Sequence, residues 1–289
     1  MKNFKLKATV FCVFLFVFAL ISLVGCASGF TQKKYTAKSA VTRLELEVDV
    51  ADLVIKPTTN KAKIEYQENS AYSFYVWEGS GTLLMESNDG VNLFGGTAPK
   101  IVVYLTAGCE LNVEVDNGSI LIDNGLTVAN AEISLDNGNI TVNNLTATKS
   151  FVSISVDNGN VVATNVSAVD YVDLSAENGQ INGYGLTSYL VETEASLGEV
   201  KLNGVNCELL KSEVNSGNLN LDKITVATSL DAKVNLGDLK LTLVGEQPKF
   251  LLSAKVDVGS CNANNTTIGE VAINLSVYIG NITVGFLTA

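Results

Sequence analysis

The chain has 289 residues, 30 acidic against 19 basic side chains and a net charge of −11. It contains no histidine, and Arg43 is its single arginine. Imidazole acid–base chemistry and imidazole metal ligation are therefore excluded; guanidinium clamping is not a general theme of this chain, and its acidity disfavours non-specific binding to nucleic acid.

The first 25 residues read as an export signal. Lys2, Lys5 and Lys7 precede an almost wholly apolar run over 8–25, and no further charge appears before Lys33. Such a run is long enough to span a bilayer, so an uncleaved anchor is one reading. The ending Leu23-Val24-Gly25-Cys26 instead resembles a bacterial lipoprotein signal. That resemblance implies cleavage before Cys26 and a diacylglycerol on its thiol. The chain would then be membrane-tethered on the extracytoplasmic face of the bacterial cell envelope. Residues 26–40, with Lys33, Lys34 and Lys38, read as a lipidated, solvated linker, whose lysines could also rest against anionic headgroups.

Residues 41–110 read as an N-terminal β-rich cap with the first coils. Leu44, Leu46, Val48 and Val50 alternate with Glu45, Glu47 and Asp49, the period of a half-buried strand. The piece VDVADLVI (48–55) looks like a degenerate repeat with Ala51 in place of a glycine.

From 111 to 289 the chain repeats itself. Nine segments align on Gly118, Gly138, Gly159, Gly179, Gly198, Gly217, Gly237, Gly259 and Gly280, at steps of 19 to 22 residues. Three residues before the glycine stand Val115, Leu135, Val156 and their equivalents, through Val256 and Val277. Two residues after it stand Ile120, Ile140, Val161 and equivalents, through Cys261 and Ile282. Seven residues after it a third apolar point recurs, from Leu145 and Val166 to Val244 and Leu287. Asp-Asn-Gly at 116–118, 136–138 and 157–159 is a turn sequence that tolerates positive φ. A meander of hairpins would use such turns, but hairpins reverse direction and would not keep one inward–outward code across every turn. The constant code predicts translation. The expected fold is all-β: a single-stranded β-solenoid of about 20 residues per coil, stacked parallel, with an N-terminal cap.

Two details carry further expectations. Asp116, Asp136, Asp157 and Glu177 would stack one strand spacing apart; the sequence reads them as turn caps, with a bound hard cation as the alternative. The last copy, with Ile282, Val284, Phe286 and Leu287, runs to Ala289 without a covering element, so this end is expected to be an open edge for self-association or a frayed strand. Cys109, Cys207 and Cys261 are an odd set without metal-ligand spacing, and buried thiols are expected. No cofactor, metal site or catalytic residue is indicated.

The segments LELEVDVADLVIKP, KIEY, GTLLMES and KIVVYLTAGCELNVEVDNGSILI, with the repeated NG-N-I turns, resemble the bacterial DUF4097 family over roughly 41–289. Thr106 stands where that family commonly has proline. The resemblance implies a surface-facing β-solenoid, often membrane-tethered, with no assigned reaction. The function expected is that of a non-enzymatic, adhesin-like surface protein with a protein or glycan ligand on its polar faces. The alternatives are a regulatory partner in envelope-stress sensing and a polysaccharide-active enzyme using paired carboxylates.

Overall fold

The computed structural model describes residues 29–88, 97–123 and 125–288. Cys26 and the apolar run before it lie outside the described residues. The strands in chain order are β1 (Thr31–Thr36), β2 (Arg43–Pro57), β3 (Lys63–Glu68), β4 (Phe74–Gly79), β5 (Thr82–Ser87), β6 (Lys100–Leu105), β7 (Glu110–Ile122), β8 (Leu126–Val128) and β9 (Ala131–Asn143). They continue with β10 (Leu145–Ala147), β11 (Phe151–Thr164), β12 (Tyr171–Tyr184), β13 (Thr187–Asn203), β14 (Asn206–Ser216), β15 (Leu219–Leu236), β16 (Leu239–Val244), β17 (Phe250–Cys261) and β18 (Val271–Leu287).

The long strands stack in parallel, each one coil above the last, as a β-solenoid. Gly118 pairs with Gly138, Gly138 with Gly159 and Gly159 with Gly179. Ala51 stands in the same ladder, beside Gly118. Alternation decides what is buried. Val115, Leu135, Val156 and Val214 on one side of the glycine, and Ile120, Ile140, Val161 and Val200 on the other, are sealed inside. No single coil can enclose these side chains, and stacking removes them from water at about 1.5–3 kcal/mol each.

The ladder glycines hold φ between 138° and 156°, as expected, but close approach constrains them further. A β-carbon on Gly138 would stand 1.8 Å from the carbonyl oxygen of Gly118. The backbone of each coil therefore occupies the space that a side chain on the next would need.

At the N-terminal end, β5 and β6 together form the coil outside β2. The antiparallel strands β3, β1 and β4 close it. Tyr66 and Phe74 meet edge to face at 6.0 Å over the end of the core. Residues 31–36, expected to be linker, are thus strand β1, and Ala37 behind them is buried. The tie is chemical: Lys33 pairs with Glu68, while the N–H groups of Lys38 and Ser39 and the Tyr35 hydroxyl donate to Glu78.

The C-terminal end departs from the sequence order. Strand β18 lies between β15/β16 and β17: Val277 pairs with Val234 on one side and with Val256 on the other. The glycine ladder therefore ends 237, 280, 259. The last copy is an inner coil, not the open edge the sequence suggested, and β17 is the outer one. Phe250, buried, stacks on Phe286 at 5.8 Å. The segment after β17 folds back over its rim, where Asn265 and Thr266 accept the N–H groups of Ala254 and Leu252 at 2.7 Å. These side chains occupy part of an edge that would otherwise invite another strand.

Three expectations fail for this reason or for a related one. Cys261, expected inside, is exposed, and Val256 is only half-buried, because β17 has a coil on one side alone. Val244 and Leu287 are not the third inward points: Ile224 pairs with Leu243 and Leu243 with Phe286. The second corner has one residue fewer in these coils, which moves the inward position forward by one.

Candidate functional site

The outward residues of each coil stand in columns along the solenoid. On the face before the glycine corner, one column contains Asp173, Glu192, Lys211, Asp231 and Asn274. The column beside it contains Ser175, Glu194, Glu213, Lys233, Ser276 and Lys255. Between these columns, in the later coils, runs a groove of about 470 Å³.

The inward ladder beneath the groove explains its place. Upstream that ladder is Ile133, Ile154 and Leu174; here it is Thr193, Ser212 and Ala232. Smaller side chains at this position leave the sheet less support from below. The Thr193 and Ser212 hydroxyls, both buried, satisfy each other at 2.6 Å.

The charges in the groove are largely partnered. Lys233 donates to Glu213 at 2.6 Å, Asn274 to Asp231 at 2.7 Å, and Lys255 pairs with Asp257 at 2.9 Å. Lys211 stands between Glu192 and Asp231 in its column. Just upstream, burial pushes the Asp173 carboxyl above its ordinary range; Glu192 and Glu194 add to this, and a Ser153 hydrogen bond opposes it. A smaller groove of about 340 Å³ lies on the face after the glycine, among Tyr184, Lys201, Asn203, Asp222 and Lys240.

The acidic column runs as expected through Asp116, Asp136, Asp157 and Glu177. Burial raises the Asp116 carboxyl, with Asp136 and Asp49 adding to the effect. Among the described residues, no group of three or more His, Cys, Asp or Glu is arranged to hold a metal. Beside this column the corner asparagines bond from coil to coil. Asn158 donates to Asn137 at 3.2 Å and Asn178 to Asn158 at 3.1 Å. On the far side of the glycine, Asn139 accepts from the Asn160 side chain at 2.9 Å. Recurrence of asparagine at one offset in successive copies was the signal for these ladders.

Cys109, Cys207 and Cys261 form no disulfide with one another. Cys109 and Cys207 are buried. Burial, with Glu208 adding to it, pushes the Cys207 thiol up to about 12.

The family model described as Toastrack DUF4097 matches residues 41–274. The chain belongs to the Toastrack DUF4097 family. No curated protein matches it. Similar solved structures include two proteins provisionally named adhesins. One, from Bacteroides fragilis NCTC 9343, is 12% identical with a TM-score of 0.45, covering 90% of this chain and 98% of that one. The other, from Parabacteroides merdae ATCC 43184, is 12% identical with a TM-score of 0.48, covering 90% and 97%. A third, from Parabacteroides distasonis ATCC 8503, is provisionally named a lipid-binding protein; it is 12% identical with a TM-score of 0.38, covering 89% and 97%. With TM-scores below 0.5, none of these likenesses bears on what this chain does. Membership of the Toastrack family rests on the family model, and the fold rests on the strand register.

Proposed function

We propose that this Toastrack chain is a non-enzymatic surface protein of the bacterial envelope, tethered through a lipid on Cys26, that binds an extended, hydroxyl-rich ligand such as a glycan in the groove beside Lys211 and Lys233. The groove carries this reading: carboxylates, ammonium groups and neutral polar side chains are interspersed along it. A neutral polyhydroxyl chain can both accept from Lys211 and Lys233 and donate to Glu192 and Glu194. Glu213 and Asp231 are engaged by Lys233 and Asn274, which leaves Glu192 and Glu194 as the carboxylates offered to a ligand. Tethering at Cys26 would place the N-terminal cap at the membrane, since β1 starts at Thr31.

The test has two arms. Alkyne fatty-acid labelling of cells should mark the wild-type chain and not Cys26→Ala; equal labelling would refute the anchor. On a glycan array, wild type should bind and Lys211→Glu/Lys233→Glu should lose that binding. Binding unchanged in the double variant would refute the groove, and cleavage of the bound glycan would refute the non-enzymatic reading.

A further inference from the structure

At the N-terminal end of the solenoid, on the face before the glycine corner, the outermost strand is β4, which pairs with β5 alone among the described residues. Phe74 points into the core, so Tyr75 and Trp77 point out, and they are 50% and 43% exposed. Trp77 is the only tryptophan in the chain. Its indole lies over Gly79, where a β-carbon would collide with the ring. The adjoining Glu78 ties this strand to the end of β1: it accepts from the N–H groups of Lys38 and Ser39 and from the Tyr35 hydroxyl. Lys61 joins the same corner, its ammonium donating to the Lys38 carbonyl at 2.8 Å. Lys33 and Lys63 are paired with Glu68 and Glu65, whereas Lys38 and Lys61 are exposed. One corner of this end thus presents an indole beside two ammonium groups.

We infer that this corner rests on the headgroups of an anionic lipid bilayer, so that the solenoid stands on its N-terminal end with its coils directed away from the membrane. The inference rests on the proposed tether and adds a contact made by the folded cap itself. Three observations select the occupant. An indole suits the boundary between an apolar and a wet phase, and ammonium groups beside it are drawn to anionic headgroups. The chain brings the corner to a bilayer: five residues separate Cys26 from Thr31, at most about 17 Å, and β1 then runs directly into the corner at Lys38. Charge is distributed to match. Residues 26–100 carry eight basic against nine acidic side chains, and residues 101–289 carry eight against 21. An anionic surface therefore repels the coils far more than this end. The outward carboxylates nearest Tyr75, those of Glu86 and Glu47, stand one and two strands behind it, away from the end.

The test uses the full chain reconstituted into vesicles of phosphatidylglycerol or of phosphatidylcholine, each also prepared with brominated acyl chains as a quencher. As the single tryptophan, Trp77 reports on this corner alone. In phosphatidylglycerol its emission should shift to the blue and be quenched by the brominated lipid; in phosphatidylcholine both effects should be smaller. Lys38→Glu/Lys61→Glu should lose most of the quenching. The same charge change at two exposed lysines of the coils, Lys149→Glu/Lys223→Glu, should leave it intact. All four side chains face solvent, so the fold is retained. Flotation separates the contact from the tether. A chain that floats with the vesicles overturns the contact alone if Trp77 is unquenched, is quenched equally in both lipids, or is quenched as strongly after Lys38→Glu/Lys61→Glu. A chain that does not float overturns both.

Discussion

The carbonyl oxygen of Gly138 lies where Gly159 has no side chain: a β-carbon on Gly159 would stand 1.5 Å from it. The same geometry recurs from coil to coil, so the corner is held by contact between backbones as much as by turn preference. Gly159 also has φ 153°, which a β-branched residue does not adopt without strain. Gly159→Val should destabilise the protein by about 3 kcal/mol or more. Ser155→Val, at an outward strand position, should cost little or add slightly through β-propensity. Thermal unfolding of the two variants checks this; equal losses would contradict it.

The insertion of β18 links the stability of β17 to a later part of the chain. Deleting residues 271–289 from a solenoid stacked in sequence order would remove one outer coil and leave the rest. Here it should also strip β17 of the strand it pairs with among the described residues. Hydrogen exchange of the truncated chain should show amides 250–261 unprotected and those of β9, β11 and β12 still protected. Full protection of 250–261 would mean that β17 can dock directly on β15 and β16.

Thiol chemistry should separate the three cysteines of the described coils. Cys207 is buried with its thiol pushed up to about 12, and burial also raises Cys109, which donates to the Val41 carbonyl at 2.9 Å. Maleimide at neutral pH should modify Cys261 alone among these three in the native protein, and all three after denaturation. Native labelling of Cys207 at the rate of Cys261 would contradict the burial.

Asp173 should make the protein more stable when its charge is removed. A carboxyl with a folded pKa above its unfolded value costs stability once ionised. The cost is absent below the unfolded value of about 3.9 and grows as pH rises through the folded value. Burial and the neighbouring Glu192 and Glu194 raise Asp173 in this sense. Asp173→Asn should therefore raise Tm at about pH 7, and the gain should shrink towards zero near pH 3.5. A variant less stable than wild type at neutral pH would contradict this.

Much of this architecture was legible because a solenoid writes its packing into one short repeat. The offsets of Val115 and Ile120 from Gly118 place their equivalents correctly in most coils, and Ala51 could be aligned without a glycine. What the repeat could not show is which coil stacks on which. Gly259 and Gly280 carry equally good copies, and only the contacts of Val277 with both Val234 and Val256 reveal the exchange. Cys261 was misplaced for the same reason, since an inward offset buries a side chain only where a further coil covers it. Strand β1 was hidden by its composition: TQKKYT has no apolar alternation, and its pairing depends on partners such as Glu68 and Glu78 far along the chain. The groove was similarly obscure, because Thr193 and Ser212 stand at an inward position that the earlier coils fill with Ile154 and Leu174.

The ligand groove requires that the Gly280 coil lie between those of Gly237 and Gly259. Disulfide trapping tests that order directly. Lys233 and Ser276 are neighbours in one column, as are Ser276 and Lys255, whereas Lys233 and Lys255 are separated by the β18 coil. Adjacent strands are about 4.8 Å apart, and a disulfide cannot join α-carbons more than about 7 Å apart. In a Cys261→Ser background, Lys233→Cys/Ser276→Cys should oxidise readily within one chain, and Lys233→Cys/Lys255→Cys should not. Ready closure of the Lys233–Lys255 pair, with none of the Lys233–Ser276 pair, would show that the coils stack in sequence order and would contradict the structure described.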